Sequence, residues 1–273
     1  MIQQSSETLA GRIGYIELTP FQLFEGCNLH QLLIRGGYPL SYLAESTENS
    51  QLWRESYIQT FLERDIPNLG FSVPPLLLRR FWMMLTHVNA QLLNLTQLGT
   101  SLGISGHSVR QYLDILGGTF MVRLLPPWFE NIQKRQIKTP KLFFRDSGIL
   151  LSLLGIFSEE ALFRHPYLGA VWESFALEQV LQTLSLRTED AFFWRTQHGA
   201  ELDLLTFQNG VRVGFEFKFS DSPGTSKSMH AALQDLKLDH LYVIYPGKKI
   251  IPLQDRITVI GLEMWVNEQK GLM

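Results

Sequence analysis

Two strand-like runs, Glu201-Leu202-Asp203-Leu204-Leu205-Thr206-Phe207 and Val211-Arg212-Val213-Gly214-Phe215-Glu216-Phe217-Lys218-Phe219, meet across Gln208-Asn209-Gly210. Asn-Gly between alternating apolar runs is the strongest short hairpin signal in a sequence. With Asn209 and Gly210 as a two-residue turn, Asp203 stands opposite Glu216 and Glu201 opposite Lys218, all four on one face. Val211, Val213, Phe215, Phe217 and Phe219 alternate onto the other face, which is expected to be the buried one.

Directly opposed side chains have Cβ atoms about 4.5–5.5 Å apart, and like charges there are destabilising. Asp203 against Glu216 therefore calls for a cation. A hard divalent ion such as Mg²⁺, bound by carboxylate oxygens and retaining waters, suits the pair. Such an ion polarises a phosphoryl oxygen and acidifies a bound water, and Lys218 is placed to orient that water or stabilise developing charge. The helical stretch before the hairpin carries Glu173 and Glu178, of which Glu173 is the preferred third carboxylate. The alternative reading is an exposed strand face with a Glu201–Lys218 salt bridge and idle, solvated Asp203 and Glu216.

A chain of 273 residues exceeds one typical core and favours two or three small domains. The polar opening has no signal-like apolar core and no apolar run reaches membrane-spanning length, so a cytoplasmic protein without membrane partners is expected. One cysteine, Cys27, rules out an internal disulfide framework, and no Cys/His cluster has zinc spacing. Residues 1–75 carry 4 basic and 8 acidic side chains, whereas residues 76–140 carry 7 and 2. The middle segment is where DNA is expected to dock.

Residues 1–75 mix strand-like Tyr15-Ile16-Glu17-Leu18 with an amphipathic stretch from Leu52 to Leu62, broken at Arg35-Gly36-Gly37-Tyr38-Pro39 and at Pro67. A helix is expected from about Leu76 to Asn89, a second over Leu95 to Leu102 closed by Gly103, and a third opened by Ser105 and running to Leu116. Leu98, Leu102, Ile104, Val109, Leu113 and Leu116 are spaced to pack the last two together, a helix-turn-helix pattern. Strand-like Phe120 to Leu125 and Lys141 to Arg145 follow, separated by a loop holding Lys134, Arg135 and Lys138, as a winged helix would continue. One reading sets His107, Arg110 and Gln111 in a DNA major groove and the three loop cations on phosphates. The other makes the same fold a packing module between domains. Helical runs from Ser147 to Leu154 and from about Tyr167 to Leu184 precede alternating strands and helices, an α/β or α+β pattern.

Leu9-Ala10-Gly11-Arg12 with Glu17-Leu18-Thr19-Pro20-Phe21, Arg35-Gly36-Gly37-Tyr38-Pro39, Leu62-Glu63-Arg64-Asp65-Ile66, Lys141-Leu142-Phe143-Phe144-Arg145-Asp146, Gly169-Ala170-Val171-Trp172-Glu173, and Trp194-Arg195-Thr196 leading into Glu201-Leu202-Asp203 follow in order. In these pieces the chain resembles uncharacterised prokaryotic ATPases of the AAA superfamily, in which a P-loop domain is followed by a winged helix and a restriction-endonuclease-like domain. The resemblance implies an ATPase-derived remnant over 1–75, a winged helix-turn-helix over 76–154 and a restriction-endonuclease-like domain over 155–273. It also implies that Asp203, Glu216 and Lys218 match the acidic, acidic and lysine positions of a nuclease core, with Glu173 the helix carboxylate. The family's phosphate loop is missing: Gly224-Thr225-Ser226-Lys227-Ser228 lacks the first glycine and the spacing, so no ATP site is expected and the chain reads as a shortened form.

Two functions follow from these readings. The first is a Mg²⁺-dependent nuclease or nuclease-derived DNA-binding domain. The second is a non-catalytic regulatory module that couples an ATPase to a partner protein or to a second copy of itself, with Trp53, Trp82 and Trp128 as exposed aromatics.

Overall fold

The structure, a computed structural model, describes residues 14, 16–129, 139–208 and 210–271. Its first half runs α1 (Leu29–Arg35), α2 (Pro39–Tyr42), α3 (Thr47–Thr60), α4 (Ile66–Asn68), α5 (Pro75–Thr86), β1 (Gln91–Leu92), α6 (Leu95–Leu102), α7 (Gly106–Gly118), β2 (Val122–Leu125) and β3 (Lys141–Phe144). The second half runs α8 (Ser147–Leu154), α9 (Glu159–Phe163), α10 (Leu168–Thr183), β4 (Ala191–Arg195), β5 (Glu201–Gln208), β6 (Val211–Phe217), α11 (Lys227–Asp235), β7 (His240–Tyr245), β8 (Ile250–Gln254), β9 (Ile257–Gly261) and α12 (Leu262–Lys270). It is a mixed α/β architecture with two sheets.

The helices begin where short polar side chains can take up a free backbone N–H. Asn28, Ser46, Asn94, Ser105, Asp146, Ser158 and Ser226 each accept from the amide three residues on, opening α1, α3, α6, α7, α8, α9 and α11. Ser226 thus caps a helix within the string that superficially resembles a phosphate loop. Pro67 does not break the chain as expected. A π turn over Phe61–Asp65 precedes it, and Pro67 sits in the first turn of α4, where its missing N–H costs least. Residues 16–18 form no strand, and Ile16 and Leu18 are exposed.

α6 and α7 pack together as their apolar spacing predicts, with Leu98, Val109, Leu113 and Leu116 buried. Gly103 makes the left-handed turn between them, at φ +67°. α7 runs through Gly117 and Gly118 instead of stopping at Leu116. β2, β3 and β1 then form a three-stranded antiparallel sheet with β3 in the centre.

The larger sheet has the order β4-β5-β6-β7-β9-β8. β4, β5 and β6 are antiparallel, β6, β7 and β9 parallel, and β8 closes the far edge antiparallel to β9. Leu204, Phe215, Phe217, Ile244 and Ile260 join the apolar cluster that also holds α10, α12 and the N-terminal helices. Leu202, Leu205, Leu241, Val243 and Val259 join a second cluster built on Met229, Ala232 and Leu233 of α11. The hairpin is therefore covered on both sides. On the α11 side a Cβ at Gly214 would lie 2.7 Å from Leu238 Cδ1, so any larger residue there would push the Leu238 side chain aside.

The two sheets are tied along one edge. Phe193 of β4 donates its N–H to Pro126 O and accepts from Trp128 N, so the chain leaving β2 lies along β4. Trp128 packs on Phe192 and Phe207, Trp53 is stacked with Tyr57, and Trp82 is fully buried. None of the three is the open aromatic surface expected of an interaction module, because each serves an internal aromatic cluster. Among the described residues no helix is long and apolar enough to cross a membrane.

Candidate functional site

The hairpin register agrees with a two-residue turn, since Gln208 pairs with Val211 and Leu204 with Phe215. One step further the ladder changes. Asp203 Oδ2 accepts the Phe217 backbone N–H at 3.0 Å, so a carboxylate stands where a strand carbonyl would. On the other side of β5, Asp203 and Leu204 together oppose Phe193, because Phe192 pairs with Leu205 and Trp194 with Leu202. This bulge adds one residue to β5 and explains why Leu202 and Leu204 face opposite clusters. Bulges re-aim side chains, and this one sets the direction of Asp203.

Asp203 and Glu216 are only 8% and 4% exposed, so the charged face of the hairpin is not the solvated one. The expected Glu201–Lys218 pair is not formed. Lys218 lies 2.8 Å from Glu216 Oε2 on its own strand, and Glu201 turns to Lys141 and to Arg195, at 3.4 Å. The physical reason is the arrival of a cation that hairpin geometry alone could not anticipate.

That cation is Lys141, the first residue of β3, which is 3% exposed. Its Nζ bonds Glu201 Oε1, lies 3.3 Å from Glu173 Oε1 and 3.6 Å from Asp203 Oδ1, and sits 5.7 Å from the Phe193 ring centroid. Burial disfavours its charge, but Glu173, Asp203 and Glu201 outweigh burial and raise its pKa above the ordinary lysine value. Lys218 follows the same pattern, with burial opposed chiefly by Glu216 and Asp203.

Four carboxylates thus cluster with two ammonium groups. Burial, and then the charge of Asp203, push Glu173 up to about 8 and Glu216 up to about 8. By side-chain count the four carboxylates exceed Lys141, Lys218 and Arg195 by one, and protons held by Glu173 and Glu216 near neutral pH make up the difference. Among the described residues no three carboxylate, histidine or cysteine side chains converge closely enough to hold a metal ion as they stand. Glu173, Asp203 and Glu216 do not form the expected three-point cage, because Lys141 occupies the space between Glu173 and Asp203 while Glu216 is engaged by Lys218. The donor chemistry nonetheless fits a hard divalent cation, since it is all carboxylate oxygen and short of positive charge.

Glu178, the other helix carboxylate, belongs elsewhere. It holds the Arg123 guanidinium through two contacts, one of them 3.0 Å to Nη2, and lies 3.5 Å from Arg145 Nε. Burial would raise its pKa, but Arg123 and then Arg145 reverse this and hold it below the usual carboxylate range. Glu178 therefore fastens α10 to β2 and to the residue after β3.

On α7, His107, Arg110 and Gln111 are exposed on one face, as expected, and line a groove of about 580 Å³ with Leu69, Phe71 and Asp114. Asp114 stands one turn after Arg110 on the same groove. Lys134, Arg135 and Lys138 lie outside the described residues. Sequence reasoning named Asp203, Glu216, Glu173 and Lys218 but missed Lys141 and Glu201 as partners. The available signal was a lysine opening an otherwise apolar Lys-Leu-Phe-Phe strand.

Residues 27–160 match a domain of unknown function, DUF8612, and residues 168–265 match another, DUF4143. Two mycobacterial relatives, described as uncharacterized proteins of Mycobacterium tuberculosis and Mycobacterium bovis, are each 43% identical over 262 residues, covering 95% of this chain and 59% of theirs. No solved structure matches the chain significantly. The two domain matches divide the chain just before α10, the helix that brings Glu173 to the hairpin, so Lys141 and the carboxylates it contacts come from different matched domains.

Proposed function

We propose that the chain carries a nuclease-type phosphodiester site in which Asp203, Glu216 and Glu173 are the ligands for a divalent cation and Lys218 is the catalytic ammonium. The observation that supports this best is the clustering of the buried carboxyl groups of Glu173, Glu201, Asp203 and Glu216 at a bulged strand pair, with Glu173 and Glu216 pushed up to about 8 by burial and by Asp203. A Mg²⁺ ion bound there would supply Lewis-acid activation of a phosphoryl oxygen and of a water. The chain's own residues orient the rest. The Phe217 N–H fixes Asp203 through Oδ2, leaving Oδ1 toward Lys141. Lys218, the most exposed of the charged side chains on the hairpin face, is placed to meet a phosphate arriving from solvent. Its ammonium stabilises negative charge as it develops on the phosphoryl group.

In this reading α6 and α7 are the helix-turn-helix of a winged helix, whose wing is built from β2 and β3, and His107, Arg110 and Gln111 are its DNA-facing residues. The whole arrangement corresponds to the region after the P-loop domain in AAA-superfamily ATPases with a restriction-endonuclease-like domain. Incubation with single-stranded, duplex and branched DNA in Mg²⁺ or Mn²⁺ tests the catalytic claim. Cleavage by wild type that is lost in Asp203→Ala is expected. No cleavage, or equal cleavage by the variant, overturns it.

The seating of Lys141 among the carboxylates favours a second reading, a non-catalytic module that binds DNA, a partner ATPase or a second copy of itself through the same fold. It predicts binding that survives Glu216→Ala.

A further inference from the structure

We propose that Lys141 is the resident counter-ion of the carboxylate site, so that seating of its ammonium and binding of a divalent cation exclude each other. The inference rests on the metal-site reading above and adds how that site is controlled. Lys141 touches three of the four carboxylates, at 3.3 Å for Glu173 and 3.6 Å for Asp203, and makes its shortest contact with Glu201. A hard cation recruited by the same oxygens would stand where Nζ stands. Two like-signed charges within about 4 Å repel strongly in a poorly solvated pocket, and no second cation fits beside an ammonium that three carboxylates already share.

The lysine is not a flexible surface arm. Lys141 pairs through its backbone with Leu92 of β1 and Leu125 of β2, at the centre of the three-stranded sheet. Its ammonium leaves the site only if that sheet shifts or the side chain folds back over Phe193. The sheet follows α7 after only three residues, Thr119 to Met121, so the element that closes the site is joined directly to the exposed helix carrying His107, Arg110 and Gln111. A lysine whose Nζ stands 5.7 Å from the Phe193 ring centroid and contacts carboxylates needs no external ligand, and it keeps those carboxylates from repelling one another.

The contrast with Glu178 separates a counter-ion from a structural pair. Glu178 meets Arg123 and Arg145, the second shared with Glu17, so that network has one guanidinium for each carboxylate. Around Lys141 three carboxylates share one ammonium, with Arg195 adding a 3.4 Å contact to Glu201, so a divalent charge would answer Glu173 and Asp203 better than the shared ammonium does. A structural pair gains nothing from such an exchange.

Mn²⁺ binding, measured by electron paramagnetic resonance of the free ion on wild type, Lys141→Met and Lys141→Met/Asp203→Asn, tests this without any cleavage assay. Lys141→Met should bind Mn²⁺ on the order of ten-fold more tightly than wild type or better, and Asp203→Asn should remove the gain. Equal affinity in wild type and Lys141→Met overturns the counter-ion role and leaves the metal site standing. A gain that survives Asp203→Asn also overturns it, because the ion is then elsewhere. Absence of Mn²⁺ binding in both overturns this inference and the metal site together. If Lys141→Met folds poorly, its thermal midpoint should rise toward the wild-type value as Mn²⁺ is added, and a midpoint that Mn²⁺ does not move overturns the proposal.

Discussion

Replacing Arg123 with methionine keeps the length of the side chain and removes the charge that Glu178 was buried to meet. Arg123 and Glu178 are 12% and 4% exposed at their side chains, so little water can compensate for the loss. Leaving a buried carboxylate without its partner costs about 3–5 kcal/mol. Arg145 stays 3.5 Å from Glu178 and retains part of the compensation. The expected loss is therefore near the lower end, about 3 kcal/mol. Urea unfolding at pH 7 on wild type, Arg123→Met, Glu178→Leu and the double variant measures it. Because the pair is expensive to break but not strongly stabilising as a whole, the double variant should lose less than Arg123→Met alone. The pH dependence has a definite sign: Glu178 is held below its unfolded value, so its contribution is present above the unfolded carboxylate range and lost as pH falls through the folded value. A loss under about 1 kcal/mol, or a double variant worse than the single one, would refute the claim that α10 is fastened to β2 by a buried charge pair.

Glu173 and Glu216 carry the opposite sign. Each stands at about 8 in the fold, so the stability they confer is full below about 4.5 and is lost as pH rises to about 8. Glu216→Gln should flatten the fall between those limits in urea midpoints taken at pH 5, 6.5 and 8; a slope unchanged from wild type argues against a buried Glu216 carboxyl beside Asp203. Gly148→Ala sets a Cβ 2.3 Å from the Arg35 carbonyl oxygen, a backbone atom that cannot swing aside, and should destabilise the α1–α8 contact by about 1–3 kcal/mol. Calorimetry that finds the variant as stable as wild type contradicts that packing. Arg110→Ala should weaken binding to duplex DNA and lower the salt slope by about one, measured by fluorescence anisotropy across a salt series; an unchanged slope removes α7 from the DNA interface.

What the sequence made legible was whatever its local chemistry controls. Asn209-Gly210 between alternating runs sets the hairpin register through Leu204 and Phe215, and Ser105 with Gly103 sets the ends of α7 and α6. The α6–α7 contact followed because Leu98, Val109, Leu113 and Leu116 repeat at helical spacing within one short segment. Pro67 was misleading for a local reason too, since a π turn one step earlier had already absorbed its constraint. The bulge at Asp203 and Leu204 left no mark, because it depends on how Phe193 is held by Pro126 and Trp128 from outside the sheet.

Lys141 shows where reading by pattern must stop. From the hairpin alone, Asp203 opposite Glu216 needs a positive charge, and the nearest one in register is Lys218, with a metal ion as the other candidate. Lys218 does meet Glu216, but the charge on Asp203, Glu201 and Glu173 is met by a residue 60 positions before Glu201, on a strand of the other sheet. Electrostatics fixed that a cation had to come; only the tertiary arrangement decided which. The same demand explains why a lysine is tolerated in the fully buried strand Lys141–Phe144, where an apolar residue would pack at less cost to solvation but would leave three carboxylates facing one another. A buried cation opposite an acidic cluster thus answers a requirement of the fold, and in the counter-ion proposal it also competes with a divalent ion, which the Mn²⁺ measurement on Lys141→Met tests.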